Sequence, residues 1–134
     1  MSERVLIDTS AIFAFLVADD VAHGEALRLM GVLRERGARL ITTSYVLVES
    51  YALVGRRVGP DGIAALRDAL APLIEVVWIN RVRHDRALDR LQEAGTRRLS
   101  LVDCSCFVVC EELGIETAFA FDRHFERAGL KLLG

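Results

Sequence analysis

Few residues here interrupt a chain: there are two prolines, and no low-complexity stretch, internal repeat or Pro/Gly/Ser-rich linker. In 134 residues that are 52% hydrophobic, these lacks exclude extended disorder and predict one compact unit with one core across residues 1–134. Long apolar runs are missing too. Residues 11–18 are framed by Asp8 and by Asp19-Asp20, well short of the roughly 20 residues that span a bilayer. The segment before them mixes Arg4 with Glu3 and Asp8, and no small-residue cleavage site follows. Neither a secretory signal nor a membrane contact is expected, and the chain is placed in the cytoplasm.

Cysteine is scarce and odd in number. Cys104, Cys106 and Cys110 share one predicted helix, which excludes a disulfide framework, and no second Cys/His cluster is spaced to complete a zinc site. They read as buried structural thiols. Neither sign of charge dominates: 17 basic residues against 19 acidic ones leave a net charge of -2. That balance excludes the broad attraction to nucleic acid of a basic domain, so any RNA contact has to use local patches. Every basic residue except Lys131 is arginine, whose planar fork suits phosphate, although codon bias in a GC-rich genome is the better account of the excess as a whole.

What is present is an alternation of strands and helices. A branched apolar run, Arg4–Ile7, reads as a strand ending at Asp8, before a helix over residues 11–18. Ala22, Ala26, Leu29, Met30 and Leu33 mark one face of a helix over residues 21–36, stopped by Gly37. A strand over residues 39–42 follows. Ser44 is the expected cap of a helix from Tyr45 to about Arg57, and Gly59-Pro60-Asp61 breaks the chain before another over residues 62–70. Further strands are expected over residues 74–79, 117–121 and 130–133, with helices over 82–94 and from Ser100 to Leu113 and a helical turn over 122–127. This order predicts an α/β fold, a three-layer α/β/α sandwich around a mostly parallel, about five-stranded sheet. Ligands of such sheets bind beyond the carboxyl ends of the strands, where Asp8 and Asp122 fall.

Four acids stand where acids are costly. Glu49 lies within an apolar run from Tyr45 to Val54 and Asp103 within one from Leu101 to Val109, both in helices that read as buried on most sides. An ionised carboxylate there needs a partner, a hydrogen bond or a cation. Capping accounts for Asp8, Asp103 and Asp122 one at a time; Glu49, more than a turn inside its helix, would need a buried arginine. Together, two acids at strand ends and two near helix starts reach one sheet edge, where they repel unless a divalent cation holds them. All-oxygen ligation suits magnesium or manganese.

Ile7-Asp8-Thr9-Ser10, Glu49 after Thr43-Ser44-Tyr45, Ser100-Leu101-Val102-Asp103 and Phe121-Asp122-Arg123-His124-Phe125 resemble, in order and across essentially the whole chain, the acidic motifs of the PIN-domain ribonucleases. Length and motif order are most similar to the VapC-type toxins of toxin–antitoxin pairs. Ala120 departs from the pattern, since many relatives carry a hydroxyl or amide side chain there. The resemblance implies metal-dependent hydrolysis of RNA phosphodiesters, leaving 5′-phosphate and 3′-hydroxyl ends, with Mg2+ or Mn2+ as cofactor. Asp8, Glu49 and Asp103 would hold the metal, with Asp122 beside it and Ser10 orienting Asp8 or a water, or simply capping the helix. Arg123 and His124 are the nearest basic residues to the scissile region. The Arg56-Arg57 and Arg97-Arg98 pairs either touch the RNA backbone or complement helix ends, and His23 and His84 read as surface residues.

With so little net charge, a structured tRNA or rRNA loop is the expected substrate. A cognate antitoxin and a homodimer are the expected partners, the latter suggested by Ile12, Phe13, Phe15 and Leu16. A processing nuclease without an antitoxin and a non-cleaving RNA- or protein-binding PIN module are the alternatives. A phospho-acceptor signalling domain fails at Asn80, where the acceptor acid is needed, and a haloacid-dehalogenase-type phosphatase fails at Ser10.

Overall fold

Five short strands and seven helices alternate along residues 3–133, the part of the chain that the computed structural model describes. In β1 (Arg4–Ile7) the side chains of Val5, Leu6 and Ile7 are wholly buried, and in β2 (Arg39–Thr43) burial is unbroken from Leu40 to Thr43. Unbroken burial is what strands covered on both faces show. With β3 (Ile74–Val77), β4 (Thr117–Phe119) and β5 (Lys131–Leu132) they form one sheet, ordered β3-β2-β1-β4-β5, in which every pairing is parallel. The α/β/α architecture expected from the sequence is therefore present. The chain leaves central β1 toward β2 and β3, then crosses to β4 and β5 on the other side. Such a reversal opens a crevice at the carboxyl ends of β1 and β4.

The helices are α1 (Thr9–Leu16), α2 (His23–Glu35), α3 (Ser44–Arg57), α4 (Pro60–Ala65), α5 (Arg81–Ala94), α6 (Leu101–Leu113) and α7 (His124–Arg127). A π-helical turn, Leu66–Leu70, and a 3-10 turn, Ala71–Leu73, connect α4 to β3, where the sequence suggested one helix over residues 62–70. Every residue of α6 from Cys104 to Cys110 is buried. A helix apolar all round has to sit inside a structure, and α6 packs against α3, α5 and α7. The three cysteines are accordingly free, buried thiols, Cys110 pushed up to about 12 chiefly by burial. No helix among the described residues is long and apolar enough to cross a membrane.

Several boundaries differ from expectation because a side chain claims a backbone group. The cap of α3 is Thr43, not Ser44: Thr43 Oγ1 accepts from Val46 N at 3.1 Å, while Ser44 Oγ accepts from Ile79 N at 2.9 Å. That second bond also takes Ile79 out of the ladder, so β3 stops at Val77. Likewise β4 stops at Phe119, since Phe121 N donates to Ser10 Oγ at 3.0 Å. Asp20 accepts from Ala22 N at 3.0 Å and delays α2 to His23. The histidines expected on the surface are half-buried: His23 Nδ1 lies 2.8 Å from Ala14 O, and His84 bonds to Tyr45 Oη. On α1, Ile12 belongs to the core, Phe15 and Leu16 pack on it, and Phe13 is half-buried.

Candidate active site

The abrupt end of β1 places Asp8. Its backbone N still donates to Phe119 O on β4, at 3.1 Å, while its side chain turns to cap α1. Oδ2 accepts from Ser10 N at 3.3 Å and from Ser10 Oγ at 3.0 Å. The residue is 5% exposed, and burial pushes its carboxyl up to about 6, against the lowering effect of bonds from Thr9 and Ser10 and with a further push from the charge of Asp103. Two acids thus stand close enough to feel each other in a poorly solvated place.

Asp103 occupies the third position of α6 and closes a capping box: Ser100 N donates to Asp103 Oδ2 and Asp103 N to Ser100 Oγ, both at 3.0 Å. Burial raises its carboxyl; the Ser100 bonds lower it, the charge of Asp122 raises it and that of His124 lowers it. Asp122 follows β4 just ahead of α7, its Oδ1 accepting from His124 N at 3.1 Å with His124 Nε2 at 3.3 Å. Charge interactions therefore run Asp8–Asp103–Asp122–His124, joining three of the four predicted acids. The capping roles and the shared electrostatics coexist in the same side chains.

Glu49 stands apart. Among the described residues no hydrogen bond or ion pair engages it, and its helix is not buried on most sides: Val46, Ser50 and Val54 form the inner stripe of α3, whereas Val48 is 66% exposed and Glu49 half-buried. The apolar run overstated the burial because alternate valines lie on opposite sides of the helix. What ties α3 to the acids is a contact the sequence reading missed, Thr43 Oγ1 to Ser105 Oγ at 3.0 Å, two residues beyond Asp103. Two buried hydroxyls beside acids, Thr9 Oγ1 and Ser50 Oγ, have no partner among the described residues. Of the predicted basic residues, Arg123 is exposed and lies 4.0 Å from Glu126, Arg57 pairs with Asp19 at 2.8 Å, and Arg56, Arg97 and Arg98 are exposed.

As donors for a metal, Asp8, Asp103 and Asp122 offer hard oxygens, one of them desolvated and short of compensating charge, which suits a divalent cation of the magnesium type. Among the described residues no three His, Cys, Asp or Glu side chains are drawn into one closed ligand set.

The PIN domain family model matches residues 5–131. The chain is 32% identical over 126 residues to the 23S rRNA-specific endonuclease VapC20 of Mycobacterium tuberculosis, covering 93% of this chain and 94% of the relative. This chain belongs to the PIN-domain family. The crystal structure of VapC20, described as a sarcin-ricin loop cleaving toxin, superposes with a TM-score of 0.83 at 30% identity over 94% of this chain and 95% of that one. The DNA-bound VapBC of Salmonella typhimurium shares the fold, with a TM-score of 0.66 at 17% identity over 98% and 97% of the chains.

In this PIN domain Ala120 is buried, and the amide next to Asp122, Phe121 N, donates to Ser10, whose hydroxyl joins Asp8 to the segment after β4. Ser10→Ala should therefore strand the Phe121 N–H and loosen Asp8. We expect a stability loss of about 1–3 kcal/mol with a lower kcat and little change in KM. Urea denaturation and steady-state kinetics check both. A kcat equal to that of the unaltered protein would reduce Ser10 to a helix cap.

Proposed function

We propose that the chain is a single-domain, divalent-metal-dependent endoribonuclease that cuts a structured RNA loop and acts as the toxin of a toxin–antitoxin pair. One observation supports the chemistry: Asp8, at the end of β1, is desolvated and feels the charge of Asp103 at the start of α6, which in turn feels that of Asp122 after β4. Similarity over nearly the whole chain to an endonuclease named for 23S rRNA favours a ribosomal RNA loop over tRNA, and the toxin named in the structural match favours a cognate antitoxin.

Asp8, Asp103 and Asp122 would hold Mg2+ or Mn2+, with Glu49 reaching in from α3. Bound there, the ion would activate a water for in-line attack and neutralise charge gathering on the phosphate and the leaving oxygen. Ser10 fixes the Asp8 carboxylate, the capping box fixes that of Asp103, and His124 holds Asp122 through its backbone N–H and its ring. Arg123, exposed beside Asp122, is placed to meet the phosphate backbone. A homodimer belongs to the same reading and would use a face other than the buried side of α1; light scattering at high micromolar concentration reads it directly.

Total RNA incubated with purified protein and magnesium, followed by mapping of new 5′-phosphate ends, tests the activity. We expect ends at one or a few loops, lost on chelation and restored by Mn2+. Even fragmentation that persists in Asp8→Asn would be a contaminating nuclease, and no new ends with either metal would overturn the proposal.

A further inference from the structure

The arginines of this chain are unevenly partnered. Most lie against a carboxylate, as Arg39 does with Glu75 and Arg83 with Glu112. Among the described residues Arg4, which donates to Leu113 O, and Arg34, Arg56, Arg67, Arg97, Arg98 and Arg127 form no ion pair. Two of these, Arg98 and Arg127, come from distant parts of the sequence and line the same cavity, about 490 Å3 in volume, between the end of α5, the approach to α6, and α7. Leu99, Phe107 and Arg90 line it as well, the Arg90 guanidinium standing 5.2 Å over the Phe107 ring centroid and pairing with Glu111 outside the cavity. Glu93 is the one acid among the lining residues. The volume falls within the roughly 300–1,000 Å3 of sites that enclose small ligands.

Two free guanidiniums around a flat, partly apolar wall suit an anion attached to a planar ring. The location narrows this further, because His124 lines the cavity and also touches Asp122. We propose that this cavity receives one nucleotide of the RNA next to the bond that is cut, with its phosphate between Arg98 and Arg127 and its base stacked on the Arg90 guanidinium, which the buried Phe107 ring backs from beneath. The proposal rests on RNA being the substrate of the neighbouring carboxylates. Unpaired loop nucleotides are the ones that can be splayed out and stacked on aromatic rings and guanidinium planes. An enzyme with little net charge thereby gains a local, shape-dependent hold on a loop.

The test is binding without turnover. In full-length protein carrying Asp8→Asn, anisotropy of a fluorescein-labelled RNA hairpin with an unpaired loop is measured across a salt series. Arg98→Ala with Arg127→Ala should weaken binding at least tenfold and flatten the dependence of log K on log salt by about 0.7, the share of the one phosphate they hold. Arg34→Ala with Arg67→Ala removes the same charge elsewhere and should stay within twofold. Ala94→Trp, at the exposed end of α5 and in the cavity lining, fills the space while leaving both arginines in place and should weaken binding comparably. No RNA binding at all, equal weakening by the control pair, or undiminished binding by Ala94→Trp each overturn the proposal. Binding that follows the expected pattern in a protein that cuts no RNA with any metal would instead overturn the nuclease reading alone.

Discussion

Asp8→Asn should lower RNA cleavage by on the order of 10²–10³-fold or more while leaving the protein folded. The Asn side chain retains an oxygen to accept from Ser10, so the cap of α1 and the bridge to Phe121 survive; what disappears is the charge that would hold the metal. Asp103→Asn should behave similarly, since its capping bond from Ser100 also needs only an oxygen. Single-turnover cleavage of an RNA bearing the mapped site, with circular dichroism as the folding control, gives the comparison. Activity within tenfold of the unaltered protein in both variants would remove these carboxylates from the chemistry.

The same substitution should stabilise the metal-free protein at neutral pH. A folded-state value of about 6 against an ordinary 3.8 means that the folded protein holds the Asp8 proton more tightly than the unfolded chain does. Below about pH 4 both states are protonated and Asp8 carries no penalty. As pH rises from 4 to 6 the unfolded chain releases its proton first, so stability falls across that window, and above it the full cost persists. The shift corresponds to about 3 kcal/mol, an upper limit for the gain in Asp8→Asn at pH 7 in chelator. Urea unfolding at pH 4 and pH 7 should show the variant's advantage only at the higher pH. Magnesium should narrow it, because an ion held a hundredfold above its Kd returns about 2.7 kcal/mol to the protein that binds it. An equal advantage at both pH values would mean that Asp8 is not the source.

The sheet was legible in the sequence because its strands are short, branched and separated by strong helix punctuation: Gly95 and Gly114 both end helices in the left-handed region, where glycine is favoured. Asp8, Asp103 and Asp122 were legible because each sits at an element boundary, and boundaries converge in a parallel sheet. Less visible were the ends set by tertiary contacts. Nothing local tells that Ser44 serves Ile79, or that Ser10 serves Phe121, because each bond joins residues far apart in sequence. Glu49 shows the opposite difficulty: its apolar neighbours suggested burial, but Val48 and Ala52 face outward and only Val46 and Val54 are buried. Arg127 escaped notice because the cavity it shares with Arg98 exists only once α7 has packed beside α6.

The bond from Phe121 N to Ser10 Oγ spans 111 residues of sequence, and β4, which brings Asp122 to Asp8, is among the last elements made. At about 5–20 residues per second, a growing chain carries Asp8 for on the order of ten seconds before Asp103 and Asp122 exist. The unfinished protein holds Asp8 and Glu49 but neither Asp103 nor Asp122, and so cannot assemble the cluster of acids. The cluster of acids is thus withheld until synthesis is nearly complete, by nothing more than the order in which the strands are written.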